Sequence, residues 1–200
     1  MRAVRQPQGE APALIGPNAV LQMAAAMERQ LGAESSAIIL ATAGICALPS
    51  GQSMIPERDA LQLHRALSAL SPRHALTVAR EAGSRTADYI IAHRIPLLAR
   101  NLLRLLPARF AGPLLMAAIR RHAWTFVGAG AFTVEDAWSF SIDRAGLNEG
   151  AVPRTAYVWY GAVFSRLYQQ LVRADCVCRE LPGAAPGLSR HVYRIAPFAA

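Results

Sequence analysis

The sequence predicts an α+β fold in which a small antiparallel sheet is flanked by helices. Three observations predict it. Apolar residues recur at helical spacing through most of residues 16–121, whereas 122–143 break into short, aromatic, β-like runs. A further helical pattern and then two strand-like runs complete the chain, so the order is helices, hairpin, helix, hairpin. Finally, 200 residues of which 53% are hydrophobic suffice for one core. No repeat, coiled coil or second domain is visible.

Residues 1–13 read as a loose tail and 14–200 as a single domain. The stretch 16–32 is a helix, with Pro17 suited to its first turn and Gly32 to its stop. A short, largely buried helix follows over 33–45, then a loop, "LPSGQSMIP". Residues 56–70 are amphipathic, with Leu61, Leu63, Leu67 and Leu70 on the apolar side. Ser71 and Pro72 then predict the cap and first position of a helix reaching Pro96, with a bend at Gly83. Two short helices are expected over 96–107 and 112–121. "HAWTFVG", "AFTVED" and "AWSFSID" read as strands, the first two joined tightly by the glycines of "GAG". Residues 155–174 return to helix, and "DCVCREL" and "RHVYRIA" form the last hairpin.

The formal charge is +8, and all 21 basic residues are Arg. Lysine Schiff-base chemistry is therefore excluded, while bidentate recognition of an acidic ligand is favoured. The arginines are scattered through apolar segments and form no dense run, so nucleic acid is not the expected partner. Three cysteines, Cys46, Cys176 and Cys178, supply neither a disulfide framework nor the four thiolates of an iron–sulfur cluster. The N-terminus has no apolar signal core, which predicts a cytoplasmic protein. Residues 95–121 are long enough to span a bilayer, but Arg100, Arg104 and Arg109 sit near the middle, each at a cost of about 3 kcal/mol. A soluble or membrane-surface segment fits better.

Familiar catalytic motifs fail. "GAGAFT" (128–133) lacks the third glycine of a dinucleotide fingerprint and the helix that should follow it. No P-loop, nucleophile elbow or H-E-x-x-H helix is present, and no two of His64, His74, His93, His122 and His191 stand at ligand spacing on one helix.

The strings "REAGSRTADYIIAHRIP" (80–96) and "HAWTFVGAGAF" (122–132) carry a resemblance. The chain resembles, from about Gly16 to Ile195, the bacteriochlorophyll-biosynthesis proteins named 4-vinyl reductase, of BchJ type. That family belongs to a small-molecule-binding group with phenol-sensing domains and vesicle-tethering TRAPP subunits. The resemblance implies a helix-flanked antiparallel sheet of the vinyl reductase and TRAPP-subunit type, frequently a homodimer. It implies as ligand or substrate a magnesium tetrapyrrole, a magnesium porphyrin or protochlorophyllide-type pigment, with bacteriochlorophyll-biosynthesis enzymes as partners. Sensor members of the group hold zinc with three cysteines and a glutamate. In this chain the glutamate falls on Glu180, while two cysteine positions fall on Gly183 and His191 and the last near Tyr157. No metal site is therefore expected, and Tyr157 with the hairpin packing takes its place.

A pigment needs a flat apolar seat, an axial ligand and a clamp for its propionates. If 122–127 is extended, His122, Trp124 and Phe126 share one face; the same residues serve equally as plain core against a helix. His93 ends the helix before Pro96, and Arg94, Arg120 and Arg121 flank the two histidines as clamp residues. The expected function is binding of the pigment as a carrier or chaperone for a biosynthetic enzyme, with no cofactor built in. Reduction of the vinyl group, as the family name says, and a ligand-free scaffold in a synthesis complex are the alternatives.

Overall fold

The computed structural model describes residues 12–144, 152–181 and 190–197. After a short strand β1 (Leu14–Ile15) come α1 (Asn18–Leu31) and α2 (Ala33–Thr42), then β2 (Ile55–Pro56), α3 (Glu57–Leu70) and α4 (Ala75–His93). Helices α5 (Leu97–Leu105), α6 (Ala108–His122) and α7 (Trp124–Val127) lead into the hairpin β3 (Ala131–Asp136) and β4 (Ser139–Asp143). Helix α8 (Arg154–Leu171) and the strands β5 (Cys176–Glu180) and β6 (Arg190–Pro197) follow. The α+β class is as the sequence predicts.

The four-stranded sheet runs β3-β4-β6-β5 and is antiparallel throughout. Its inward positions are aromatic. Phe140 pairs with Tyr193 across β4 and β6, their rings stacked at 4.8 Å. Phe164 of α8 lies 3.9 Å from Phe140 and 5.9 Å from Phe132, so α8 is the helix that covers the sheet. Polar tips fasten it there: the Tyr168 hydroxyl donates to Ala137 O at 2.6 Å, and Cys178 N donates to Ser165 Oγ at 2.8 Å. Burial pushes the hydroxyls of Tyr168 and Tyr193 upward, so both remain protonated donors.

Helix α4 packs on the other side of α8 at unusually short range. A Cβ at Gly83 would stand 2.5 Å from Trp159 O and 2.8 Å from Ala162 Cβ. Gly83 is thus a close-approach residue in a continuous helix, not the expected bend. Trp159, Tyr160 and Phe164 are buried within their own chain, Phe164 against the sheet and Tyr160 against Phe126.

Four further expectations are corrected. Residues 122–127 are helical, because α6 runs on to His122 and α7 completes another turn before Gly128 breaks it with φ 57°. The first hairpin is therefore β3–β4, turned at Ala137 and Trp138, and not a pair joined by 128–130. Ser71 ends α3 instead of starting α4, which begins at Ala75. Helix α6 also starts earlier than 112, at Ala108 after Pro107, and carries Pro113 inside it.

Candidate functional site

The end of α6 and the single turn of α7 carry most of the residues singled out in the sequence. Successive helical residues turn by about 100°, so His122 and Trp124 diverge by about 160° instead of sharing a face. Both are exposed, Trp124 by 46%. Phe126 turns inward and meets Phe132 at 5.5 Å and Phe164 and Tyr160 at 6.2 Å. The expected strand face of one imidazole and two flat rings is thus absent, and the space behind Phe126 is filled by the protein's own aromatics.

Arg120 and Arg121 are exposed in the last turn of α6, where the helix dipole favours cations. The structure therefore brings Arg120, Arg121, His122 and Trp124 to one helix end. His93 and Arg94 sit at the end of another helix, α4. The His93 ring lies 4.6 Å from that of Tyr89, and the Arg94 guanidinium lies 6.0 Å from the Tyr89 centroid. Both are exposed.

What holds α7 in place had no signal in the sequence. Gly16 N donates to Thr125 O at 2.7 Å, and the Thr125 hydroxyl donates back to His122 O at 2.8 Å. The Tyr160 hydroxyl, raised by burial and so protonated, donates to Phe126 O at 2.9 Å. Below the turn, Arg144 Nη2 donates to Glu57 Oε1 at 2.6 Å, with both side chains only 3% exposed. The other oxygen of Glu57 accepts Ala129 N at 2.9 Å, and Arg144 Nη1 donates to Val127 O at 3.4 Å. A Cβ at Gly128 would lie 2.1 Å from Glu57 Cδ, so the carboxylate occupies the space that only glycine leaves. A buried ion pair thus clamps the turn that follows Trp124 and Phe126.

The C-terminal hairpin assembles a second group. His191 Nδ1 lies 2.5 Å from Glu180 Oε1, and the imidazole stacks on Tyr157 with centroids 3.4 Å apart at 21°. The three positions matched by resemblance to the sensor zinc site do meet, as a carboxylate–imidazole–phenol stack. Gly183 lies outside the described residues. Among the described residues no group of three or more His, Cys, Asp or Glu side chains could hold a metal ion.

A cavity of about 340 Å³ opens beside the sheet, lined by Trp138, Asp136, Arg173, Arg194, Cys176 and Ile195 among others. It is at the small end of the range for small-molecule pockets, roughly 300–1,000 Å³. A macrocycle would not be enclosed in it. Two of its polar groups are already engaged: Arg173 pairs with Asp175 at 2.6 Å, and Asp136 accepts Trp138 N at 2.6 Å.

The architecture has counterparts among solved structures. An Fe(II) unliganded H-NOX protein variant from K. algicida matches with a TM-score of 0.63 at 12% identity, over 92% of this chain and 97% of its own. An oxygen-binding H-NOX domain related to soluble guanylate cyclases matches at 0.53 and 10%, over 92% and 96%. Another H-NOX structure, from a study of heme distortion in that family, matches at 0.56 and 9%, over 92% and 96%. The fold is thus like that of H-NOX domains, where the resemblance implied vesicle-tethering subunits. No family model matches the chain. Its sequence is 37% identical over 185 residues to the bacteriochlorophyll synthase 23 kDa chain of Rhodobacter capsulatus, covering 92% of this chain and 86% of that one. It is 38% identical over 186 residues to the chain of the same name from Cereibacter sphaeroides, covering 92% and 90%. The chain belongs to the family of bacteriochlorophyll synthase 23 kDa chains. Those names specify a synthase chain and not a vinyl reductase.

Proposed function

We propose that this protein binds a magnesium tetrapyrrole intermediate of bacteriochlorophyll biosynthesis and carries it to a biosynthetic enzyme. The observation that carries the reading is the end of α6, where exposed His122 and Trp124 adjoin exposed Arg120 and Arg121. A neutral imidazole offers one nitrogen to a five-coordinate magnesium, although magnesium ordinarily favours oxygen. An indole ring offers a flat apolar face to the macrocycle. Two guanidinium groups suit bidentate contact with propionates. The names of the two relatives support the pathway.

The role of each residue follows from its place. Trp124 supports the ring and Arg120 and Arg121, within about 60° of it around the helix, fix the acidic edge, while His122, about 160° away, reaches the metal only from across the helix end. Phe126 backs the turn from inside. The buried Glu57–Arg144 pair fixes the turn that follows α7.

The test is titration of magnesium protoporphyrin into the purified protein, followed at the Soret band. A saturable shift is expected. His122→Ala should remove the ligation component of the shift, and Arg120→Gln with Arg121→Gln should weaken binding by roughly tenfold or more, as lost charge-assisted hydrogen bonds do. No shift at any ratio would overturn the reading. Conversion of a divinyl pigment to its monovinyl form by the isolated chain with a reductant would replace a carrier with a reductase.

A further inference from the structure

We propose that helix α5 and the first half of α6 dock this protein on an anionic lipid bilayer. The inference stands apart from the pigment reading, since it uses other residues and needs no ligand.

Water-facing leucines are ordinary when scattered, but here they are concentrated. Of the thirteen large hydrophobic residues exposed among the described ones, six fall between residues 97 and 114: Leu97, Leu98, Leu102, Leu105, Phe110 and Leu114. Leu98 and Leu105 are each 83% exposed. Down the axis of α5, Leu98, Leu102 and Leu105 lie within about 60° of one another. Leu103, about 100° further round, is buried against the body of the protein. The apolar stripe of α5 is therefore wider than its own fold can cover. On α6, Phe110 and Leu114 stand one turn apart on the exposed side, while Ala111, Gly112, Leu115 and Met116 are buried.

The charge around this surface selects the occupant. Residues 95–119 contain no Asp or Glu but three arginines: Arg100, Arg104 and Arg109. The Arg109 guanidinium sits 4.9 Å from the centroid of the Phe110 ring, so charge directly borders the apolar side chains. Arginine stems lie along apolar surface while their heads reach phosphates. Leucine and phenylalanine flanked by arginine is the pattern of a helix lying in the headgroup region of anionic lipid. A second copy of this chain fits the surface less well, because the same acid-free segments would face each other with like charge. No helix among the described residues is long and apolar enough to cross a membrane, so the contact is one of lying on the surface.

The experiment is co-sedimentation of the full chain, without pigment, with vesicles of phosphatidylcholine alone and of phosphatidylcholine with about one-third phosphatidylglycerol. Binding is expected to the anionic vesicles only, and to weaken as salt rises. Leu98→Ser with Leu105→Ser should reduce it at least thirty-fold or so, because two leucines no longer enter the lipid. Arg109→Gln should reduce it roughly five-fold, the share of one basic residue at an anionic surface. Both variants change exposed side chains, so their circular dichroism melts should match the parent. Absence of binding to anionic vesicles, or binding that the double serine variant leaves intact, would overturn the proposal. So would a dimer in size-exclusion chromatography that the same variant dissolves, since a second copy would then own the surface. Vesicle binding by a chain that gives no Soret shift would leave this inference standing and remove the pigment reading.

Discussion

Glu57→Gln tests how the fold holds the turn beside Trp124. The substitution keeps the shape of the side chain and an oxygen for Ala129 N, which Glu57 now accepts at 2.9 Å. It removes the negative charge facing Arg144, whose Nη2 lies 2.6 Å from Glu57 Oε1. Both partners are 3% exposed, so water cannot replace the lost charge. Breaking a buried pair from one side costs about 3–5 kcal/mol, because the remaining ion stays desolvated. For a chain of this size each kcal/mol lowers Tm by about 2–4 °C, which gives a drop of roughly 6–20 °C. The assay is thermal unfolding followed by circular dichroism at neutral pH, repeated for Arg144→Met and for the double variant. The double variant should lose less than the two single losses combined, since neither charge is then left alone. A Tm within about 2 °C of the parent for Glu57→Gln would refute the reasoning.

Other expectations follow from single contacts. His64 is buried, its Nδ1 has no hydrogen-bond partner among the described residues, and desolvation lowers its pKa from 6.5 to about 3. The unfolded chain then takes up a proton below 6.5 that the folded chain refuses. Its stability contribution is complete above pH 6.5 and falls as pH drops toward 3, by up to roughly 1.4 kcal/mol per unit. Urea unfolding at pH 7 and pH 5 should therefore show a smaller acid loss in His64→Leu than in the parent. Gly83→Ala forces a Cβ to within 2.5 Å of Trp159 O, and should destabilise by about 1–3 kcal/mol as α4 and α8 are pushed apart. A melt unchanged by that alanine would show that the two helices tolerate a wider spacing. His191→Ala should destabilise the fold in the same melts by roughly 1–2 kcal/mol, because it removes a mostly buried imidazole that stacks on Tyr157 and pairs with Glu180.

The sequence announced its helices through punctuation. Pro17 and Gly32 bracket α1, Pro56 precedes α3 and Pro96 precedes α5, whereas the start of α6 after Pro107 was missed. The order of helices, hairpin, helix and hairpin was legible for the same reason. The stretch 122–127 was misread because aromatics two apart fit a strand as easily as a helix end, and a run this short cannot decide the period. Gly83 was read as a bend, because its real cause, Trp159 and Ala162, lies far along the chain. The clamp under α7 was hidden for the same reason: Glu57 and Arg144 are 87 residues apart and neither stands in a motif. Of the candidate residues, Arg120, Arg121, His122 and Trp124 were legible as a group because they are neighbours in the chain. The inward turn of Phe126 was not, because it depends on the helical twist and on Phe132, Tyr160 and Phe164.

The most direct measurement is the Soret titration of the parent protein beside His122→Ala. The pigment reading predicts a saturable shift in the parent and an altered, weaker one in the variant. Identical spectra with and without the parent protein would contradict it.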